Sequence, residues 1–276
     1  MGGGHRSEGK ARLLDNRGPR FSLQSTSSIG ASGWLAMTLS QEILGVIKEY
    51  AVHNDWYLAF EGKSKGNQHL HRVNRIVVHL ARKEGARMDI CIAGGWLHDL
   101  GLVKGNRHHC FTGAELAREY LEGLGVDAED IQQVVHCIEA HDGEVVAGTL
   151  EAKVVHDADT IDKMGPFGFI RHVWKISLVE DLDAERLVDT VAEHIAERKS
   201  KLYLETSIRI VGGFHRILES FLEDRETATK VVATVVDCAS KGIPSEDTAQ
   251  ILLEDPTLEK DFRDTIICQT ATCYLD

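Results

Sequence analysis

Fourteen histidines stand in this chain, and ten of them fall between His69 and His172. Imidazole is a metal ligand, a general base and a proton shuttle near neutral pH, so the direction these rings face decides the chemistry on offer. His69 lies four residues before Val73, in line with an apolar stripe of Val73, Ile76, Val77 and Leu80. On a helix that spacing turns its ring inward, with His71 on the opposite side and His79 on the flank. His98 and Asp99 are adjacent near the end of a segment that is apolar almost all round (Ile90, Cys91, Ile92, Ala93, Trp96, Leu97, Leu100). Burying a carboxylate there costs on the order of several kcal/mol unless a cation or hydrogen-bond donors satisfy it. A third segment repeats the conflict: Asp162 shares the stripe of Val154, Val155, Ala158 and Ile161, Asp159 lies at its edge, and Asp157 points away. A shared divalent ion satisfies all of these groups, because imidazole and carboxylate ligands suit Mn, Fe, Co, Ni, Zn or Mg in differing mixes. A buried, fully hydrogen-bonded polar network without metal is the alternative.

The elements that must position these groups are helices. Only four prolines occur, none between Pro19 and Pro166, and no period-2 strand pattern of useful length is present, so the fold class is all-α. Thr38 with Gln41 matches a capping box for a first helix, and residues 53–68 read as a loop. A helix from about Gln68 to Glu84 ends at Gly85, and Asp89 is placed to cap the apolar one that follows. Gly94 and Gly95 weaken that helix, so a neighbouring helix must approach closely there. Further helices are expected at about 112–124, after Asp127, and over 149–164 with a stop at Gly165-Pro166. Two or three more fall within 168–222, and a small helical C-terminal extension occupies 223–276. Residues 1–37, rich in Gly, Ser and Arg, read as a disordered leader.

The 276-residue composition sets limits. A formal charge of −12 argues against a protein that coats nucleic acid or an anionic membrane. No apolar run approaches the roughly 20 residues of a membrane span. Six cysteines without a C-x-x-C pair read as reduced thiols, and the chain is expected to be cytoplasmic. Its oligomeric state is not legible.

The ordered set His69-Leu-His-Arg72-Val73, Gly-Trp-Leu-His98-Asp99-Leu-Gly101 and Val-His-Asp-Ala158-Asp159-Thr-Ile-Asp162 resembles the HD-domain metal-dependent phosphohydrolases. The resemblance covers roughly residues 38–222 and extends to Gly113-Ala-Glu-Leu-Ala, Glu151-Ala-Lys-Val-Val and Lys201-Leu-Tyr-Leu-Glu-Thr. It implies an HD-type helical bundle with a metal site at its centre. His69, His98, Asp99 and Asp159 would ligate one ion, and Asp99 would face the reactive water. His109 and His141 resemble the additional histidines that hold a second metal or bind substrate phosphate. Two positions depart from related patterns: Gly66 stands where an acidic residue is common, and Leu102 where Lys or an acid is found in several subfamilies. Gly165-Pro166-Phe167 does not match the cyclic-dinucleotide signature.

The implied reaction is hydrolysis of a nucleotide or another small phosphate ester by a metal-activated water. Lys104 and Arg107 are the first candidates to hold phosphate, Arg72 and Lys163 the second, and Asp162 orients a ligand. Two other functions share these residues. One is an HD-type di-iron oxygenase using His69, His98, Asp99, His109, His141 and Asp159; the other is a non-catalytic nucleotide-binding module.

Overall fold

The structure, a computed structural model, describes residues 37–275, so the expected leader lies outside the described residues except for Met37. Among those residues there are twelve α-helices, and the extended backbone is limited to an isolated bridge between Met37 and Val126. The all-α class read from the sequence is therefore what the chain adopts.

Six helices come first: α1 (Gln41–Tyr57), α2 (His69–Glu84), α3 (Met88–Leu97), α4 (His109–Gly123), α5 (Ala128–Ala140) and α6 (Leu150–Asp162). The apolar helix α3 sits among α1, α2, α5 and α6. Its glycines explain how. A Cβ on Gly94 would come within 2.8 Å of Cys137 on α5 and 3.2 Å of Val155 on α6, and one on Gly95 would meet Asn74 on α2 at 3.0 Å. The lost helix propensity is offset by close packing on both sides, as the sequence required.

The second half is built around α7 (Gly165–Ser177), which touches α8 (Ala184–Ser200), α9 (Glu205–Glu223), α10 (Arg225–Ser240), α11 (Ser245–Leu253) and α12 (Lys260–Ala271). The halves join where α9 meets α2 and α6, and α6 meets α7. The described residues 37–275 lie within one compact unit.

Several helix ends differ from expectation. Ser40, not Thr38, caps α1, its hydroxyl accepting from the Ile43 amide at 3.3 Å. Helix α1 runs on to Tyr57, and a short 3₁₀ turn follows at Ala59–Gly62. Arg87 stands at the cap of α3, while Asp89 lies in its first turn and pairs with Arg87 at 2.7 Å. Gly165-Pro166 ends one helix and opens the next: Gly165 takes φ +70°, and Pro166 fits the first turn of α7, where no amide is needed. Helix α4 starts at His109 and not near Thr112. Asp157 does point away from the site, yet it is buried, accepting the Tyr203 and Leu204 amides at 3.0 and 2.8 Å where α9 begins.

Candidate metal centre

The histidines that matter stand at helix ends. His98 follows the last residue of α3, His109 opens α4, and His141 follows α5. Each ring turns its Nδ1 back onto a carbonyl three residues earlier: His98 on Gly95 at 2.9 Å, His109 on Asn106 at 3.0 Å and His141 on Ile138 at 2.7 Å. Two of these acceptors, Gly95 and Ile138, lie in the last turn of a helix, where carbonyls are short of intrahelical amide partners. A carbonyl only accepts, so in each ring the proton is assigned to Nδ1, and Nε2 is left with its lone pair. His69, at the start of α2, reaches the same state by donating Nδ1–H to Asp162 Oδ2 at 2.8 Å.

The four Nε2 atoms converge on two carboxylates. His69 Nε2 lies 3.3 Å from Asp99 Oδ2 and 3.4 Å from Asp159 Oδ1, and His98 Nε2 lies 3.6 Å from both. On the other side of Asp99, Oδ1 faces His109 Nε2 at 3.3 Å and His141 Nε2 at 3.7 Å. Within each pair the two imidazoles oppose each other at 3.1 Å, Nε2 to Nε2. Two lone pairs at that distance repel unless something electropositive lies between them. Asp99 Oδ1 and Asp159 Oδ1 are buried and have no hydrogen-bond partner, a costly state that a cation relieves. This donor set fits a divalent ion: neutral imidazole nitrogens, anionic oxygens, and outer atoms fixed by hydrogen bonds.

Glycine again permits the geometry. A Cβ on Gly101, two residues after Asp99, would overlap the His109 carbonyl and come within 2.7 Å of the Gly113 amide. The turn carrying Asp99 can therefore lie against α4, which brings His109 to the outer face of that carboxylate.

Cations surround the cluster. Arg72 is bound through Nε to Asp162 Oδ1 at 2.7 Å and also pairs with Glu246 on α11. Lys163 pairs with the outer oxygen of Asp159, leaving the inner one toward the histidines. From α7, Arg171 lies 3.4 Å from Asp162 and Lys175 lies 3.9 Å from Asp99. Burial pushes these carboxylates up, but the cations win. Lys175 and His98 hold Asp99 well below the ordinary carboxylate range, Lys163 and His69 do so for Asp159, and Arg72 and His69 for Asp162. Burial and Arg171 push His69 down, while Asp159, Asp162 and Asp99 outweigh them and raise it. Burial lowers His141 to about 4, keeping it neutral and able to ligate, and lowers Lys163 to about 8.

Of the residues singled out from sequence, His69, His98, Asp99, His109, His141 and Asp159 come together, with Asp162, Arg72 and Lys163 directly around them. Lys104 and Arg107 do not. Both are exposed on the loop before α4, and among the described residues neither pairs with a carboxylate. That loop turns outward after Leu102, and α7 delivers Arg171 and Lys175 instead. These two were missed, although their i, i+4 spacing on an otherwise apolar helix was a readable signal. Glu246 and Asp55 were missed too. Asp55 lines a narrow cavity of about 20 Å³ with His69, Asp99, Arg171 and Lys175, and burial raises its carboxyl to about 7.

Residues 67–164 match the HD domain family. Ribonuclease Y of Cutibacterium acnes is 33% identical over 118 residues, covering 39% of this chain and 20% of that protein. Ribonuclease Y of Finegoldia magna is 34% identical over 103 residues, covering 36% and 18%. The chain thus spans about a fifth of the length of the curated relatives it matches. A crystal structure from Lactobacillus plantarum aligns with a TM-score of 0.55 at 22% identity over 68% of this chain and 97% of that one, a likeness of fold. Residues 67–164 of this chain thus form an HD domain, as the ordered His, His-Asp and Asp set implied.

Proposed function

We propose that the protein is a metal-dependent phosphohydrolase acting on a nucleotide or another small phosphate ester. His69, His98, Asp99 and Asp159 would hold one divalent ion, and His109 and His141 would share Asp99 with a second. The observation that carries this reading is Asp99: its two oxygens face two separate histidine pairs, and Oδ1 is buried without a partner. When bound, such an ion lowers the pKa of a coordinated water and polarises a phosphoryl oxygen.

The chain's own residues would do the rest. Asp162 accepts the Nδ1–H hydrogen bond of His69 and so keeps its Nε2 free and aimed. Lys175 and Arg171, on the wall of the small cavity that reaches Asp99, would neutralise the substrate's phosphate oxygens and orient phosphorus for in-line attack. Asp55, on the same wall, is positioned to hand a proton to the leaving oxygen. Phe60, Leu102 and Trp174 exclude bulk water around that cavity. The ribonuclease name of the relatives adds phosphodiesters to the candidate substrates.

The test is phosphate release from a panel of nucleotides and simple esters in Mn, Co, Mg or Ni, with metal content measured on the same samples. Release by the wild-type chain and none by Asp99→Ala is the expected result. Iron bound at about two per chain with oxygen uptake and no phosphate release would instead support the oxygenase, which draws on the same six donors. The ring of Arg72, Lys163, Arg171 and Lys175 favours the phosphate ester, because an anionic substrate needs those charges and oxygen does not.

A further inference from the structure

Helix α2 carries His69 and Arg72 on one face and a second set of cations on the other. Lys48 of α1 and His71, Arg75, His79 and Arg82 of α2 line an open groove of about 600 Å³, and no carboxylate lines it among the described residues. In a chain with 43 acidic against 31 basic side chains, a groove of one sign is not the average surface. Lys48, Arg75 and Arg82 are exposed and permanently charged, whereas His71 is pushed down by burial, Lys48 and Arg75 and stays neutral near pH 7.

The spacing along α2 distinguishes one ligand shape from another. His71, Arg75, His79 and Arg82 recur at i, i+4, i+8 and i+11. At about 1.5 Å per residue this row spans roughly 16 Å, with about 6 Å between successive members. A single phosphate covers one such step, but a chain of phosphates follows the whole row. The groove floor says what is not read. Trp96 is only 8% exposed, with the His71 ring edge-on at 5.2 Å and the Lys48 ammonium at 5.5 Å from its centre. Its face is occupied, so no stacking platform for a base is offered, and binding would rest on charge alone.

We propose that this groove binds an extended phosphate chain through its anionic backbone, independently of the metal centre and of any sequence of bases. The chemistry is shared by single-stranded nucleic acid and by inorganic polyphosphate. With three permanent cations, log affinity should fall with log salt at a slope of about −2, or roughly 20-fold weaker binding between about 50 and 200 mM salt.

The experiment measures fluorescence anisotropy of a labelled single-stranded oligonucleotide with the full chain, with and without EDTA, and with polyphosphate and ATP as competitors. Expected are salt-dependent binding in both conditions, displacement by polyphosphate, and much weaker competition by the shorter ATP. Direct binding of labelled polyphosphate without the oligonucleotide would assign the inorganic source. Lys48→Ala/Arg75→Ala/Arg82→Ala should lose at least tenfold in affinity and most of the salt slope, while small-ester hydrolysis and Tm stay unchanged. Arg82→Glu alone, at an exposed position, should weaken binding without touching the fold. The proposal is overturned if neither polymer binds at low salt, if ATP competes as well as a long chain, or if the triple variant keeps its affinity and slope.

Discussion

Replacing Arg72 by Met tests whether the outer layer of the metal centre is held by a buried ion pair. The guanidinium is 2% exposed, binds both oxygens of Asp162 at 2.7 and 3.1 Å, pairs with Glu246 and lies 4.6 Å from the centre of the Phe167 ring. Met fills much of the volume but leaves the Asp162 carboxylate, itself 4% exposed, with His69 Nδ1 at 2.8 Å and Arg171 at 3.4 Å and with no partner left on Oδ1. Removing one partner of such a pair costs about 3–5 kcal/mol, mostly for the charge left behind. At about 2–4 °C per kcal/mol for a chain of this size class, Tm should fall by roughly 6–20 °C. The assay is urea and thermal unfolding with EDTA present, so that ion binding does not enter the reference. Asp162→Asn belongs in the same series. If the pair is real, the double variant Arg72→Met/Asp162→Asn should cost less than the two single changes added, by roughly 0.5–3 kcal/mol. Additive losses, or a loss under about 1 kcal/mol for Arg72→Met, would show that Asp162 is solvated and refute the reasoning.

The remaining predictions concern the ion, the α7 cations, the turn glycine and pH. An ion that binds only the folded chain should raise stability by about 2.7 kcal/mol at a hundredfold excess over its Kd, so EDTA should lower Tm by roughly 5–11 °C in a concentration-dependent way. Lys175→Ala should lower kcat/KM for a phosphate ester by roughly 10–150-fold, the worth of about 1.5–3 kcal/mol for one charge-assisted contact, with metal content unchanged by elemental analysis. Gly101→Ala drives a methyl into the His109 carbonyl, and should destabilise by about 1–3 kcal/mol and weaken the second donor group before the first, readable by metal titration. His156 is 2% exposed, and burial depresses its pKa to about 4. The unfolded chain then takes up that proton first as pH falls, so stability is intact above about 6.5 and is lost between about 6.5 and 4, at up to about 1.4 kcal/mol per pH unit. Urea midpoints of wild type and His156→Leu across that window should converge on a flatter profile for the variant.

The cluster was legible because its members break the pattern around them. A carboxylate at the end of an apolar helix and another on an apolar stripe are conflicts that period and composition expose, and Asp99 and Asp162 stood out on that ground. Lys104 and Arg107 were chosen by nearness in sequence to the His-Asp pair, which says nothing about a loop that turns outward. Arg171 and Lys175 lie more than seventy residues from Asp99 in sequence, and only the packing of α7 against the first half makes them neighbours. Glu246 is further still, and its pairing with Arg72 depends on where α11 docks. Helix ends were less legible than helices, since Thr38 and Ser40, or Asp89 and Arg87, offer competing caps within two residues, and tertiary contacts decide between them.

The charge balance of the centre is what would let a −12 chain take the anionic substrate proposed for it. Asp99, Asp159 and Asp162 bring three negative charges inward, and Glu246 adds one at the edge. Arg72, Lys163, Arg171 and Lys175 bring four positive ones, placed on the outer oxygens or along the cavity wall. The permanent charges therefore nearly cancel before any ion arrives, while the histidines turn Nδ1 onto carbonyls, or in His69 onto Asp162, and aim Nε2 inward. A divalent ion bound there leaves the centre with a surplus of about two positive charges, held where burial limits screening. Were the four cations absent, the same ion would merely neutralise its ligands. On the proposed reading, Arg72, Lys163, Arg171 and Lys175 would let a bound ion's charge act on substrate, and a variant that loses any one of them should weaken phosphate ester turnover even where metal content is unchanged.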